Sequence, residues 1–191
     1  MRKYLILHAL IISFVFFLTP AIEAASDREE EIEAYKQAIR IDPDDADAHY
    51  NLGHTYSDTG MYKEAIEAYK QVIRISPYYT KAHNNLGIAY VNSGMNKEAI
   101  EAFKQAIRIA PDYALIHNNL GIAYGNSDMN KEAIEAFKQV IRIAPDYAEA
   151  HYNLCVVYAS LNDKASALKQ YKILKSLDSE MANKLYNKIH K

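Results

Sequence analysis

The sequence predicts an all-α solenoid in which short helix–turn–helix units stack one on the next. The chain repeats itself every 34 residues, and residues 80–113 match residues 114–147 at all but six positions. Apolar residues inside each unit recur every three or four positions, which is the periodicity of an amphipathic helix. The 191 residues include only six Gly and five Pro, fewer than turn-rich β proteins need. Units of this length cannot bury a core alone, so each must pack on its neighbours.

Each unit is predicted to contain two helices joined by a tight turn. In residues 80–113 the first helix is expected at about 80–93 and the second at about 96–109. Ser93-Gly94 forms the turn inside the unit. Pro111 forms the turn to the next unit, because proline disfavours helical geometry in the residue before it. Gly87 and Ala99 are small where the paired helices must approach closely.

The same register divides the whole chain into about four full repeats, a half repeat and a capping helix. The half repeat, residues 27–43, has the pattern of a second helix only. A capping helix with a polar outer face is what the end of a solenoid needs. The full repeats are residues 46–79, 80–113, 114–147 and the divergent 148–179, followed by the capping helix at 180–191.

Several positions are constant or nearly constant from repeat to repeat. The eleventh is always Tyr and the twentieth always Ala, while the eighth is Gly until the fourth repeat. These residues are Tyr56, Tyr90, Tyr124 and Tyr158; Ala65, Ala99, Ala133 and Ala167; and Gly53, Gly87, Gly121 and Cys155. With an aromatic residue at the twenty-fourth position and a late proline, the pattern resembles the tetratricopeptide repeat. The resemblance implies a scaffold without catalytic activity that holds a partner protein in a concave groove lined by the first helices.

The first 24 residues are expected to be a signal peptide. Arg2 and Lys3 precede an almost wholly apolar stretch at residues 4–18, and the small residues Ala24 and Ala25 follow Pro20. A positive start, an apolar stretch and small residues in this order are typical of a secretory leader. The alternative is an uncleaved membrane anchor, for which fifteen apolar residues are short. We therefore expect an exported protein, periplasmic or secreted, with a membrane-anchored protein as the alternative.

The sequence argues against several classes of function. A formal net charge of −2 and the absence of a basic run argue against nucleic acid as a partner. A histidine occupies the fourth position of every repeat, but equivalent residues in successive units lie on the order of 10 Å apart. One metal ion cannot join them, so each ring is expected to pack in its own repeat with one nitrogen bonded locally. Cys155 is expected to be buried and inert, and neither a cofactor, a metal nor an enzyme activity is predicted.

The candidate binding site is the set of first-helix positions that line the groove in the family this chain resembles. The sixth position is asparagine in every repeat, and an amide offers donors and an acceptor to the backbone of an extended peptide. The predicted groove residues are Asn51, Asn85, Asn119, Asn153, Tyr50, Asn84, Asn118, Tyr152 and Lys81. Repeats 2 and 3 differ in this groove at Lys81/Leu115 and Val91/Gly125, which could tune specificity.

Two hypotheses of function follow from the sequence. In the first, a protein or peptide of unknown identity lies along the asparagine column. In the second, the array mainly self-associates, because the half repeat at 27–43 has no first helix beside its apolar residues Ile32, Tyr35 and Ile39. Exposed apolar surface of this kind often marks an interface.

Overall fold

A computed structural model describes residues 26–189, with the side chains of the last three left out. The expected signal peptide at 1–24 lies outside the described residues, as do the last two residues of the predicted capping helix. All regular structure in the described range is helical. Residues 26–41 are helical and are called α1. The helices that follow are α2 (Ala46–Asp58), α3 (Tyr62–Ile75), α4 (Thr80–Asn92), α5 (Asn96–Ile109), α6 (Ala114–Gly125), α7 (Asn130–Ile143), α8 (Ala148–Ser160), α9 (Lys164–Leu177) and α10 (Ser179–Ile189).

The two helices expected in residues 80–113 are confirmed to within one residue by α4 and α5. Among residues 26–189 no helix combines the length and hydrophobicity needed to cross a membrane. The described residues divide into two compact units, 26–75 and 76–189. In the first unit α2 packs against α3. The backbone N–H of Ala48 donates to the carboxylate of Asp45 at 2.9 Å, which caps α2.

The second unit consists of two layers of helices. The first helices of the repeats, α4, α6 and α8, contact one another in sequence, and α10 continues this layer. The second helices, α5, α7 and α9, pack on the first helices, but within this unit they make no comparable contacts with each other. Because the first helices are closer together than the second helices, their layer forms the inner, concave side of this unit.

A glycine against an aromatic ring fixes the distance between the paired helices of a repeat. A Cβ atom on Gly121 would lie 2.5 Å from Phe137 Cε1, and one on Gly87 would lie equally close to Phe103 Cε1. The two phenylalanine rings are buried. The absence of a side chain on α4 and α6 therefore lets each ring pack directly on the backbone of the opposite helix.

The histidine column has the structural role expected from the sequence. In each repeat Nε2 of the ring donates to the carbonyl oxygen of a proline six residues earlier. The pairs are His49–Pro43 at 3.1 Å, His83–Pro77 at 2.9 Å, His117–Pro111 at 2.7 Å and His151–Pro145 at 3.2 Å. These bonds fasten each turn between repeats to the helix that follows it, so the expectation of a local partner for each ring is confirmed.

Cys155 is buried as expected, with 2 % of its surface exposed. It packs in a core cluster with Leu174, Ala182 and Leu185, which joins α10 to the fourth repeat. Burial raises the pKa of its thiol, and a thiol held in its neutral form is a poor nucleophile.

The tyrosines at the repeat junctions differ in burial. Tyr78 is 83 % exposed and Tyr113 is exposed as well, whereas Tyr79 and Tyr147 are half-buried. The exposed face of the second helices carries ion pairs. The observed pairs join Glu to the Lys three residues later: Glu67–Lys70, Glu101–Lys104 and Glu135–Lys138 at 2.7–2.9 Å. Residues three apart lie on the same face of a helix, so the long lysine side chain reaches the glutamate carboxylate.

Candidate functional site

The inner face of the second unit has a row of amide side chains at the fifth and sixth positions of its first helices. Asn84 and Asn118, at the fifth position, are 8 % and 1 % exposed. Asn85, Asn119 and Asn153, at the sixth position, are half-buried. The fifth-position side chains therefore lie beneath the surface, and the sixth-position side chains lie at it.

These amides are hydrogen-bonded from one repeat to the next. Asn119 Nδ2 on α6 donates to Asn84 Oδ1 on α4 at 3.0 Å. Asn153 Nδ2 on α8 makes the same bond to Asn118 Oδ1 on α6 at 3.1 Å. In both cases the donor is the sixth position of one repeat and the acceptor is the fifth position of the repeat before it.

The buried asparagines use their own N–H groups as well. Asn84 Nδ2 donates to Asn85 Oδ1 at 3.1 Å, and Asn118 Nδ2 donates to Glu149 Oε1 on α8 at 3.2 Å. A buried amide without partners would destabilise the fold by roughly 1–3 kcal/mol. The network therefore stabilises the junctions and holds the outer amides in one orientation.

The network leaves hydrogen-bonding capacity at the surface. Asn119 and Asn153 each use one N–H inside the protein. The second N–H and the side-chain oxygen of each amide remain for another molecule. A fixed donor and acceptor at successive repeats suit the alternating C=O and N–H groups of an extended backbone.

A cavity of about 490 Å³ opens beside this row between α6 and α8. Ile122, Val156 and Val157 give it apolar walls, and Gly125 lies where a side chain would fill it. Asn153, Asn126 and Ser160 add polar groups, and Asp128 lines it as the one acidic residue. Apart from Asn153, the predicted site did not include these residues, although Val91/Gly125 was noted as a groove difference.

The other predicted groove residues occupy different settings. Asn51 and Lys81 are exposed, and Tyr152 is half-buried against the core of the fourth repeat. In the first unit Tyr50 lies with its ring centre 5.9 Å from that of Tyr69. The predicted site thus contains surface amides, buried amides that orient them, and tyrosines that are half-buried.

Two further cavities, one in each unit, have linings that correspond at a spacing of 68 residues. One, of about 570 Å³, lies in the first unit over Leu52 and Tyr56, and the other, of about 720 Å³, lies in the second unit over Leu120 and Tyr124. Their rims carry both signs of charge. Lys104 on the second rim bonds Glu101 on its own helix, which together with Tyr124 raises the lysine pKa. These cavities therefore favour no single charge in a ligand.

Within residues 26–189 no group of three or more His, Cys, Asp or Glu side chains is placed to hold a metal ion. The helix layers, the inner amide row and the adjoining cavity define a helical repeat protein with polar amides along the inner face of its second unit. Family models confirm the class: TPR repeat models match residues 29–60, 89–128 and 130–162, and a tetratricopeptide repeat model matches 46–79. The chain belongs to the tetratricopeptide repeat family.

Solved structures of this family share the fold. The structure described as MamA is 27 % identical, with a TM-score of 0.78 over 84 % of this chain and 94 % of that one. YrrB, described as a TPR protein with an unusual peptide-binding site, is 24 % identical, with a TM-score of 0.74 over 86 % of each chain. A thermophilic TPR protein from Thermus thermophilus is 23 % identical, with a TM-score of 0.66 over 87 % of this chain and 92 % of that one. A search of curated protein sequences gave no match. TPR proteins commonly bind proteins or peptides and are typically scaffolds without catalytic activity.

Proposed function

We propose that this chain is a non-catalytic scaffold, exported from the cytoplasm, that binds an extended segment of a partner protein along the inner face of its first helices. The carrying observation is the amide network, in which Asn84 and Asn118 accept hydrogen bonds from the half-buried Asn119 and Asn153, and each of these two amides keeps a second N–H and an oxygen beyond these bonds. Amides held in place before binding lose less conformational entropy when a ligand arrives. The peptide-binding site named for YrrB lies on the same fold.

Backbone recognition explains why the row consists of amides. Neutral amides bond the main chain of an extended segment whatever its side chains, as an edge strand does in β-augmentation. Charged groove residues would instead select a charged terminus or side chain. The proposed partner is therefore an internal, extended stretch of protein.

Export is supported by the leader-like pattern of the first 24 residues, with its positive start, apolar stretch and small residues. An intact-mass measurement on protein recovered from outside the cytoplasm tests this part. A mass lower by residues 1–24 is expected, and a mass that includes Met1 would contradict cleavage.

A photo-crosslinking experiment tests the groove. A photoreactive residue in place of Asn119 is expected to capture a discrete partner in native envelope extract, whereas the same residue in place of Asn183, exposed on α10, is not. The double variant N119A/N153A should lose the partner while its helical circular dichroism signal is retained. Unchanged capture by the double variant would remove the groove from the proposal.

The alternative is a structural role, as a self-associating or membrane-anchored assembly factor. Ile32, Tyr35 and Ile39, the apolar residues that suggested this role, are half-buried. Ile41 at the end of α1 is 86 % exposed, and Ala34 is exposed although its counterpart Ala68 in the next repeat is buried. Sedimentation at increasing concentration tests self-association through this half repeat. A mass that stays monomeric would remove that alternative.

A further inference from the structure

The cavity between α6 and α8 differs from the corresponding place in the repeat before it. Repeats 2 and 3 differ at six positions, and two of these lie at this cavity: Val91 is replaced by Gly125, and Gly94 by Asp128. Val91 packs against a core cluster that repeats 2 and 3 share. A Cβ on Gly125 would meet nothing within 4 Å, so the missing valine side chain corresponds to open space.

Asp128 takes up a backbone conformation that favours glycine. Its φ angle is +57°, while Gly60 and Gly94 at the equivalent positions have +77° and +74°. A residue with a side chain is disfavoured in this left-handed region, which is often occupied at functional sites. The third repeat therefore carries a carboxylate where the first two carry the residue best suited to the turn.

The carboxylate has no partner of opposite charge. Among residues 26–189 Asp128 forms no ion pair, and no basic side chain lines the cavity. Ile122 and Val156 give the cavity aliphatic walls, and Asn126, Asn153 and Ser160 add side-chain oxygen acceptors. A cavity with aliphatic walls and one carboxylate in its lining suits a side chain with an aliphatic stem and a cationic tip.

We propose that this cavity receives a lysine or arginine side chain of the extended partner segment. The inference rests on the proposed function, because the segment lies on the amide row and Asn153 belongs to both the row and the cavity. The methylene stem lies between Ile122 and Val156. The cationic head meets the Asp128 carboxylate and the neighbouring amide oxygens. Charge complementarity selects the occupant, and the loss of the valine side chain makes room for it.

The first experiment uses single amino acids and needs no peptide to bind. The methylamides of Nα-acetyl-lysine and Nα-acetyl-arginine are titrated into ¹⁵N-labelled protein, and those of norleucine and citrulline serve as neutral analogues. We expect saturable shifts of the backbone amide signals with at least one cationic probe, at Gly125, Asn126 and Asp128. The cationic probe with the lower Kd identifies the preferred residue. Shifts that are equal for neutral and cationic probes, or that never saturate, would overturn the proposal.

Variants separate charge from space. D128N removes the charge. Asparagine is tolerated in this turn, because Asn162 adopts a φ angle of +59° at the equivalent position of the fourth repeat. D128N should weaken the cationic probe about fivefold, corresponding to about 1 kcal/mol for a solvent-accessible pair. G125V restores the valine of repeat 2 and should abolish binding, while D146N, at an exposed carboxylate outside the cavity, should change nothing. Unaltered binding by D128N or G125V contradicts the proposal.

A displayed peptide library distinguishes this inference from the function on which it rests. Enrichment of one basic residue at a fixed place in peptides that require Asn119 and Asn153 is expected. Peptides that require both asparagines but lack that basic residue would overturn the cavity assignment and leave the groove function standing. If the cationic probe saturates the cavity but no peptide is retained, the groove function fails and the cationic site remains.

Discussion

Replacing Gly121 by alanine tests whether the close contact between paired helices controls stability. The added Cβ would lie 2.5 Å from Phe137 Cε1, whereas ordinary contact begins near 3.4 Å, so the ring must retreat by about 0.9 Å. Phe137 is 1 % exposed and packs with Ala133, Leu154 and Val157, which leaves it little room. Overpacking of a core costs about 1–3 kcal/mol. The gain in helix propensity from Gly to Ala offsets roughly 0.5–1 kcal/mol of this.

The expected net loss for G121A is therefore roughly 1 kcal/mol, within a range of about 0–2.5 kcal/mol, and 1 kcal/mol lowers the Tm by roughly 2–4 °C in a chain of this size. Urea and thermal unfolding followed by circular dichroism measure it. G125A is the matched control on the same helix, because its Cβ meets no atom within 4 Å. That control should be neutral or more stable by up to about 1 kcal/mol.

The clash can be assigned to the ring with a double-mutant cycle. In an F137L background the ring edge is absent, so the added G121A change should no longer destabilise, and the two changes should couple by about 1–3 kcal/mol. If G121A stabilises as much as G125A, or costs the same in both backgrounds, the contact does not set the helix spacing and the reasoning is refuted.

Four further predictions follow from the structure. D45A removes the cap on the Ala48 N–H and should cost about 1 kcal/mol in chemical unfolding. D128G relieves the left-handed turn and should add about 0.5–1 kcal/mol, and a loss instead would show that the turn is unstrained. N118A removes a buried amide with two partners and should cost about 1–3 kcal/mol by the same assay. The Cys155 thiol should react with a thiol reagent much more slowly in folded than in urea-unfolded protein. Because burial raises its pKa, the stability it contributes should be present below pH about 8.5 and fall as pH rises through the folded-state value.

The helices could be predicted closely because two kinds of local signal agree. The 34-residue period fixes the register, and proline and glycine mark the turns within a residue of the observed ends. The close approach of the paired helices at the glycine of the first three repeats and the local bond of each histidine also follow from residues close in sequence. Predictions of this kind depend on interactions that recur from unit to unit.

Which asparagines are buried and which lie at the surface could not be predicted in this way. Asn84 and Asn85 are adjacent on one helix and both belong to the predicted groove, yet one is buried and the other is at the surface. Burial at the fifth position depends on a side chain 35 residues later, as in the bond from Asn119 to Asn84. The periodicity of a single helix does not indicate a contact between residues that are 35 positions apart and belong to different repeats.

The Asp128 turn was also missed, although the sequence held a signal for it. The glycine of the first two repeats is replaced at this position by residues with side chains, and φ stays positive at Asp128 and Asn162. A comparison restricted to groove positions of the first helices does not reach a residue in the turn. The cavity is lined both by α6, through Gly125, and by the turn after it, through Asp128, so it is found only in the three-dimensional structure.

The identical glycine–phenylalanine contacts of repeats 2 and 3 have an evolutionary consequence. Both place the missing Cβ 2.5 Å from the ring, and each repeat of an array contacts only its neighbours. A tandem gene duplication would therefore insert a unit whose two faces match surfaces that already exist. The array can lengthen without a new kind of interface. Point changes such as those at residues 125 and 128 then alter the surface of one copy only.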